Sequence, residues 1–379
     1  MFALRPLPRR ACVNLPPLEF LRCMSTTINP TTQHHAKSNN FVKVVEVGPR
    51  DGLQNEKKTI PLTTKIELIE RLGKTGLTDI EAGSFVAPKW VPQMADSNEI
   101  LEYLLKTPPS SPTPINYSFL APNARGLQNA LSILHKHPSS YQSLTPPTTS
   151  NEADKSSSPS PSPSIRSPFI EFSVFAAATE TFTQKNLNTD IKTSLSRFKE
   201  VITGAKATGL RVRAYISVVL GCPFEGYDVN PQRVAEIACD LMEMGADEID
   251  LGDTTGMGTA PRTSELLRAM TAAGIRNEDL TMHFHDTYGQ ALVNTAVSLE
   301  HGIRRFDSSV GGLGGCPYSP GATGNVSTED LVYFLESLGM ETGTDLKKLA
   351  EIGEWITGEI GKANSSSVGK AILGKRRAK

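Results

Sequence analysis

The chain has 379 residues, 38% of them hydrophobic and 21% charged, enough for one large α/β domain or two ordinary ones. A formal net charge of −1 offers no electrostatic attraction to nucleic acid or an anionic membrane, and no run approaches the roughly 18–20 apolar residues that span a bilayer. The cysteines at 12, 23, 222, 239 and 316 are scattered and odd in number, which argues against a disulfide framework and for a reducing compartment.

In chain order, residues 1–40 come first, with Arg5, Arg9, Arg10, Arg22 and Lys37 against one acid, Glu19. That basic, acid-poor composition reads as a mitochondrial presequence, with a plain disordered tail as the alternative. The strand candidates then follow as 42–47, 79–82, 116–120, 169–175, 211–219, 248–251, 280–285 and 304–310. Between them, stretches such as TKIELIERLGKTG and NPQRVAEIACDLMEMG have helical apolar spacing and end near glycine. Eight β/α alternations over about 270 residues predict a (β/α)8 barrel. A doubly wound sheet is the alternative, disfavoured by the lack of a dinucleotide fingerprint.

Residues 138–168 interrupt the pattern. Ser, Pro and Thr supply 21 of these 31 positions, a composition that cannot offset its ordering entropy, so a disordered surface insert is expected there. It falls between the third helix and the fourth strand, on the barrel face away from the chemistry. After the eighth strand, STEDLVYFLESLGM and TDLKKLAEIGEWITGEIG read as extra C-terminal helices, followed by a basic tail at 373–379.

Side chains at the C-terminal ends of barrel strands face the active site, and the unusual polar residues fall there. Arg50 and Asp51 follow the first strand in VEVGPRDGLQNE, Glu81 closes the second, and Asp253 follows the sixth in DLGDTTG. HFHDTYGQAL ends the seventh, with His283 and His285 on one face of an extended backbone and Phe284 on the other. Two neutral imidazoles and the Asp51 carboxylate suit an octahedral divalent cation with positions left open for substrate. A pair of core histidines satisfied by hydrogen bonds is the plainer reading, and Asp286 is expected to point off the site. Arg50 reads either as a surface ion-pair partner or as a fixed cation near developing charge on a carbonyl oxygen. Glu81 and Asp253 read as catalytic groups or as hydrogen-bonding partners that orient a loop or ligand.

The stretch SSVGGLGGCPYSPGATGNVSTEDL has six glycines between Gly311 and Gly324, too many for an element interior. It reads as a linker or as a mobile lid over the barrel mouth. Cys316 lies at its centre and could give or take a proton once the loop closes. Asn325 could supply a neutral oxygen to the metal or cap the next helix, a role that Ser327 or Thr328 fills as easily. Cys222, Cys239, Trp90 and Trp355 read as packing.

VEVGPRDGLQNE, SFVAPKWVPQMAD, HFHDTYGQAL and SSVGGLGGCPYSPGATGN together resemble the 3-hydroxy-3-methylglutaryl-CoA lyase family of TIM-barrel metallolyases, over roughly residues 41–372. The last motif departs from the family's cysteine-loop signature at Gly311 and Ser319, where alanine is usual, and leaves Cys316 in register. The resemblance implies Mg2+ or Mn2+ held by Asp51, His283, His285 and Asn325. It implies an acyl-CoA substrate cleaved to acetyl-CoA and acetoacetate, as in leucine degradation and ketone-body formation, by a homodimer of the mitochondrial matrix. Arg50 would then bind substrate and stabilise the enolate oxygen, Cys316 would help protonate the carbanion, a base near His283 would take the hydroxyl proton, and Glu81 and Asp253 would support them.

Three rivals remain. A condensing sister enzyme such as an isopropylmalate or homocitrate synthase would share the Arg–Asp and H-x-H elements without a cysteine loop. A non-catalytic barrel scaffold would show a broken ligand set. A metal-dependent hydrolase would need more histidines or a carboxylated lysine at the strand ends.

Overall fold

A computed structural model of the chain describes residues 40–142, 167–315 and 324–377. The expected presequence (apart from Asn40), the body of the Ser/Pro/Thr insert and Cys316 therefore lie outside the described residues. Strands β1 (Lys43–Glu46), β2 (Asp79–Ser84), β3 (Asn116–Leu120), β4 (Phe169–Ala177), β5 (Arg211–Ser217), β6 (Glu248–Asp253), β7 (Leu280–Phe284) and β8 (Arg305–Ser308) form a closed barrel in sequence order. Each pairs in parallel with the next, and β8 returns to β1 with Lys43 opposite Arg305. This is the (β/α)8 architecture that the strand count predicts.

The outer ring is built by α1 (Leu62–Gly73), α2 (Ser97–Lys106), α3 (Ala124–Leu134), α4 (Glu180–Leu187), α5 (Ile191–Ala207), α6 (Pro231–Glu243), α7 (Ala260–Ala272), α8 (Ala291–Glu300) and α9 (Thr328–Ser337). Helices α10 (Leu346–Ile360) and α11 (Ser367–Arg377) follow. Several of the helix starts are set by side chains that satisfy the free N–H groups of a first turn. Asn123, Asp190 and Asn230 cap α3, α5 and α6, and Ser327 accepts from Asp330 N at 3.1 Å to cap α9. Of the two capping assignments the sequence allowed for α9, this is the one that frees Asn325. Pro231 sits in the first turn of α6, where no N–H is needed.

Contacts across the barrel reveal which strand face is interior. Ser173 on β4 donates to Glu81 on β2 at 3.2 Å, Arg213 on β5 reaches Asp307 on β8, and Arg305 on β8 reaches Glu248 on β6. None of these strand pairs are neighbours. The interior is thus lined by charge, where barrels of this kind usually hold branched aliphatics. At its floor Lys43 pairs with Asp79 at 3.0 Å, and Thr281 donates to Glu248 at 2.6 Å. The alternate positions, among them Ile80, Phe119, Phe172, Val212, Leu251 and Phe284, are at most 2% exposed and form the apolar layer under the helices.

Gln142 and Pro168 meet where the insert leaves and rejoins the barrel. Gln142 N donates to Pro168 O at 2.8 Å, and the Gln142 side chain donates to Ser167 O at 3.1 Å. The barrel therefore keeps more of this segment than composition suggests, since Tyr141 packs on the core and Gln142 bridges to Phe169. Trp90 is the clearest departure from the packing expectation: it is 74% exposed, with Lys89 5.4 Å from its ring. Cys239 is only partly buried, whereas Cys222 is fully buried and accepts from Thr179 Oγ1 at 3.2 Å.

Candidate metal centre

The site starts where β1 ends. The N–H groups of Arg50, Asp51 and Gly52 all turn back to Val47 O, at 3.2, 2.8 and 3.1 Å, and wind GPRDG into a single π-helical turn. Such turns place consecutive side chains at unusual angles and recur at functional sites. A Cβ at Gly52 would stand 2.7 Å from Ser309 Oγ, so only glycine lets this turn close against the β8 loop. Arg50 is buried despite its charge and is paired on two sides, to Asp51 at 2.8 Å and Glu81 at 2.5 Å. Burial would lower its pKa, but Glu81 and Asp51 hold the guanidinium firmly protonated.

Glu81 is fully buried, its carboxyl raised by that burial against the pull of Arg50. Asp51 shows the opposite balance. Burial alone would raise it, yet Arg50 and the two histidines keep it below the usual carboxylate range. Its second oxygen accepts from Asn325 Nδ2 at 2.8 Å, and the same amide nitrogen reaches Leu313 O at 3.0 Å. Both bonds use the Asn325 amide nitrogen and leave its side-chain oxygen out of them. Gly314, at φ +111°, makes room for this amide, because a Cβ there would lie 2.6 Å from Asn325 Nδ2.

His283 and His285 sit on the inner face of β7 and its end, 7% and 4% exposed, with ring centroids 5.3 Å apart. Phe284 between them joins the apolar layer. Asp286 turns away and accepts from Ala291 N at 3.0 Å, ordering the start of α8. His283 Nδ1 lies 3.0 Å from Asp307 Oδ2. Burial would lower the His283 pKa, and Asp307 raises it above the ordinary value. His285, buried beside His283, is pushed down to about 4 and is neutral at physiological pH.

Asp51, His283 and His285 each offer a ligand atom, all within 4.8 Å of one another. Among the described residues His285 Nδ1 is buried with no hydrogen-bond partner, a costly state for an imidazole nitrogen unless something else uses it. Two imidazoles, one ionised carboxylate and a nearby amide oxygen fit a hard-to-borderline divalent cation.

The structure places the other predicted site residues as follows. Asp253 lies beside His285, whose N–H donates to Asp253 O at 3.3 Å. Its carboxylate, however, accepts from Gly258 N at 2.9 Å and staples the loop after β6, while Oδ1 has no partner among the described residues. Burial raises this carboxyl to about 7. Arg50, Asp51, Glu81, His283, His285 and Asn325 converge on one mouth, and Cys316 is outside the described residues.

Four residues that sequence reasoning passed over adjoin the same mouth. Tyr215 is buried, its hydroxyl without a partner among the described residues, and its ring lies 5.4 Å from Arg50, 4.9 Å from Arg213 and edge-on to His283. Beneath it, Arg213 bonds to both Asp250 and Asp307. The visible signal was the alternation in RVRAYIS, EIDLGD and RFDS, which puts polar groups on one face of β5, β6 and β8.

A closed parallel barrel with this donor set at the C-terminal mouth defines a TIM-barrel enzyme of the metal-dependent kind. The chain belongs to the HMGL-like family, whose model matches residues 167–356. It is 46% identical over 334 residues to a Pseudomonas aeruginosa 3-hydroxy-3-isohexenylglutaryl-CoA/hydroxy-methylglutaryl-CoA lyase, covering 88% of this chain and 98% of the relative. It is 43% identical over 365 residues to the mitochondrial hydroxymethylglutaryl-CoA lyase of Bos taurus, covering 96% and 97%. The crystal structure of hydroxymethylglutaryl-CoA lyase from Pseudomonas aeruginosa superposes with a TM-score of 0.75 at 45% identity, over 89% of this chain and 98% of that one.

Proposed function

We propose that the chain is a metal-dependent carbon–carbon lyase that cleaves 3-hydroxy-3-methylglutaryl-CoA to acetyl-CoA and acetoacetate. The observation that carries this reading is the Asp51–His283–His285 cluster set beside the buried, doubly paired Arg50. Asp51, His283, His285 and Asn325 would hold the cation, Mg2+ or Mn2+. When bound, it supplies a Lewis acid that lowers the pKa of the substrate's tertiary hydroxyl.

The chain's own residues account for the rest. The hydroxyl proton leaves to a base at the His283 edge of the site. The electron pair of that O–H bond becomes the ketone, and the bond between C2 and C3 breaks to leave a thioester enolate. Arg50, held in place by Glu81, offers its fixed charge to the enolate oxygen, the geometry in which a preorganised cation is most effective. Cys316 delivers the proton that turns the enolate into acetyl-CoA. Asp253 supports the site through the loop it staples and its link to the His285 backbone.

Purified protein with Mg2+ should convert the thioester to acetoacetate, stop on addition of EDTA, and recover when metal is restored. No acetoacetate under reducing conditions with added metal would overturn the assignment. In the same assay Cys316→Ala should lower turnover severely while metal binding is unchanged, and loss of metal binding there would remove the cysteine from this role.

The basic, acid-poor first 40 residues and the name of the bovine relative support the mitochondrial matrix as the compartment. Full-length and 41–379 chains, tagged and imaged, should separate into mitochondrion and cytosol, whereas identical distributions would refute it. Among the described residues no helix is long and apolar enough to cross a membrane. A homodimer is proposed on the resemblance alone, to be read by light scattering.

A further inference from the structure

The inner wall below the cation site holds a second group of ligand-type side chains, and it shares a residue with the first. Asp250, His283 and Asp307 also present atoms within 4.8 Å of one another. His283 and Asp307 are register partners on β7 and β8, so their side chains stand next to each other on the interior face. The Asp307 Oδ2 to His283 Nδ1 distance is 3.0 Å. Arg213 comes from β5 on the other side, 2% exposed, and one of its terminal nitrogens bonds to both Asp250 and Asp307. A guanidinium is permanently charged and donates only. Paired with that fixed charge through Oδ1, Asp307 is an ionised acceptor, and the hydrogen on its Oδ2 bond to His283 belongs to Nδ1.

We infer that Asp307, held by Arg213, is a positioning residue that keeps the His283 proton on Nδ1 and its Nε2 lone pair available to the cation shared with Asp51 and His285. This rests on the metal reading above and extends it inward by one layer. Carboxylates that take the second N–H of a ligating imidazole fix its ring and raise its basicity. Arg213 has a second effect by the same contacts. It supplies the positive charge that Asp307 would otherwise draw from a divalent ion, so the cation is left to the outer group at the mouth, where substrate arrives.

The test is Mn2+ affinity by calorimetry on the metal-free full chain, with its histidine tautomers read by 15N NMR. Read at a pH where the ring is neutral, His283 in the unaltered metal-free protein should carry its single proton on Nδ1. Asp307→Asn should bind Mn2+ about 10–100-fold more weakly. Arg213→Lys, which keeps the charge and loses the fork, should lose less. A neutral His283 with its proton on Nε2, or an Asp307→Asn affinity within twofold of the unaltered protein, would overturn the inference. No Mn2+ binding by the unaltered protein would overturn the metal reading itself, and with it this one. The tautomer measurement needs no substitution, so a variant that fails to fold leaves the question answerable.

Discussion

The two faces of the same eight strands differ more than any two regions of this molecule. The outward face packs Phe119, Phe172, Leu251, Phe284 and their like under the helices, almost wholly excluded from water. The inward face holds Lys43, Asp79, Glu81, Glu171, Arg213, Glu248, Asp250, Arg305 and Asp307, all of them buried except the half-buried Lys43 and Arg305. Burial of apolar surface stabilises in proportion to area. Burial of charge costs free energy, and replacing such pairs by hydrophobic groups is often neutral or stabilising. The outer layer therefore carries the stability, and the inner one is arranged for charge placement. Ion pairs keep its cost down, though not to zero: Glu171 is raised to about 7 by burial and by Glu248 and Asp79 beside it.

That division can be broken from either side. His285→Ala removes a ligand-type imidazole with an unpartnered nitrogen. Turnover should fall by at least about 100-fold, the upper range for disturbing a metal site. Thermal stability should change little, because no hydrogen bond to that ring nitrogen is lost. Phe172→Ala should do the reverse, costing about 3–5 kcal/mol through the cavity left under the helices. At this chain length that is a drop on the order of 10 °C in Tm, while kcat per folded molecule stays near its original value. If His285→Ala unfolds the protein, or Phe172→Ala spares Tm and lowers turnover, the two faces do not divide stability and chemistry in this way.

The same division explains what could be read from the sequence. The strand runs, their number and the helices between them are local patterns, and they place β1 to β8 within a few residues of the observed bounds. Arg50, Asp51, His283 and His285 were legible because strand ends in a barrel share one mouth. Arg213, Tyr215, Asp250 and Asp307 lay in strands equally well marked. Their alternation with apolar residues, however, reads in one strand as a solvent-facing side, which is where charges on half-buried strands usually point. Only closure of the sheet turns that side into an interior. Asp253 keeps the phase of Ile249 and Leu251, which is why its carboxylate binds the backbone of the loop after β6.

Two acids stand at the seam between the faces and give the smallest of the expected effects. Glu46, at the end of β1, accepts from Gly48 N at 2.8 Å, Val310 N at 2.9 Å and Thr328 Oγ1 at 2.6 Å. Glu329, in the first turn of α9, accepts from Gly311 N at 2.9 Å. Both root the glycine-rich stretch after β8, and burial raises them to about 7 and about 8. In an unfolded chain each would titrate near the ordinary glutamate value of 4.5. Between that value and the raised one the folded state holds a proton the unfolded state has released, so stability falls as pH rises. The contribution is fully present below pH 4.5 and is spent once both acids ionise. Tm should therefore slope downward from pH 6 to pH 9. Glu329→Gln, which keeps an acceptor oxygen and cannot ionise, should flatten the upper half of that slope. A slope of the same steepness in both proteins would mean that the root of the loop tolerates the charge and that its backbone N–H groups offset the burial.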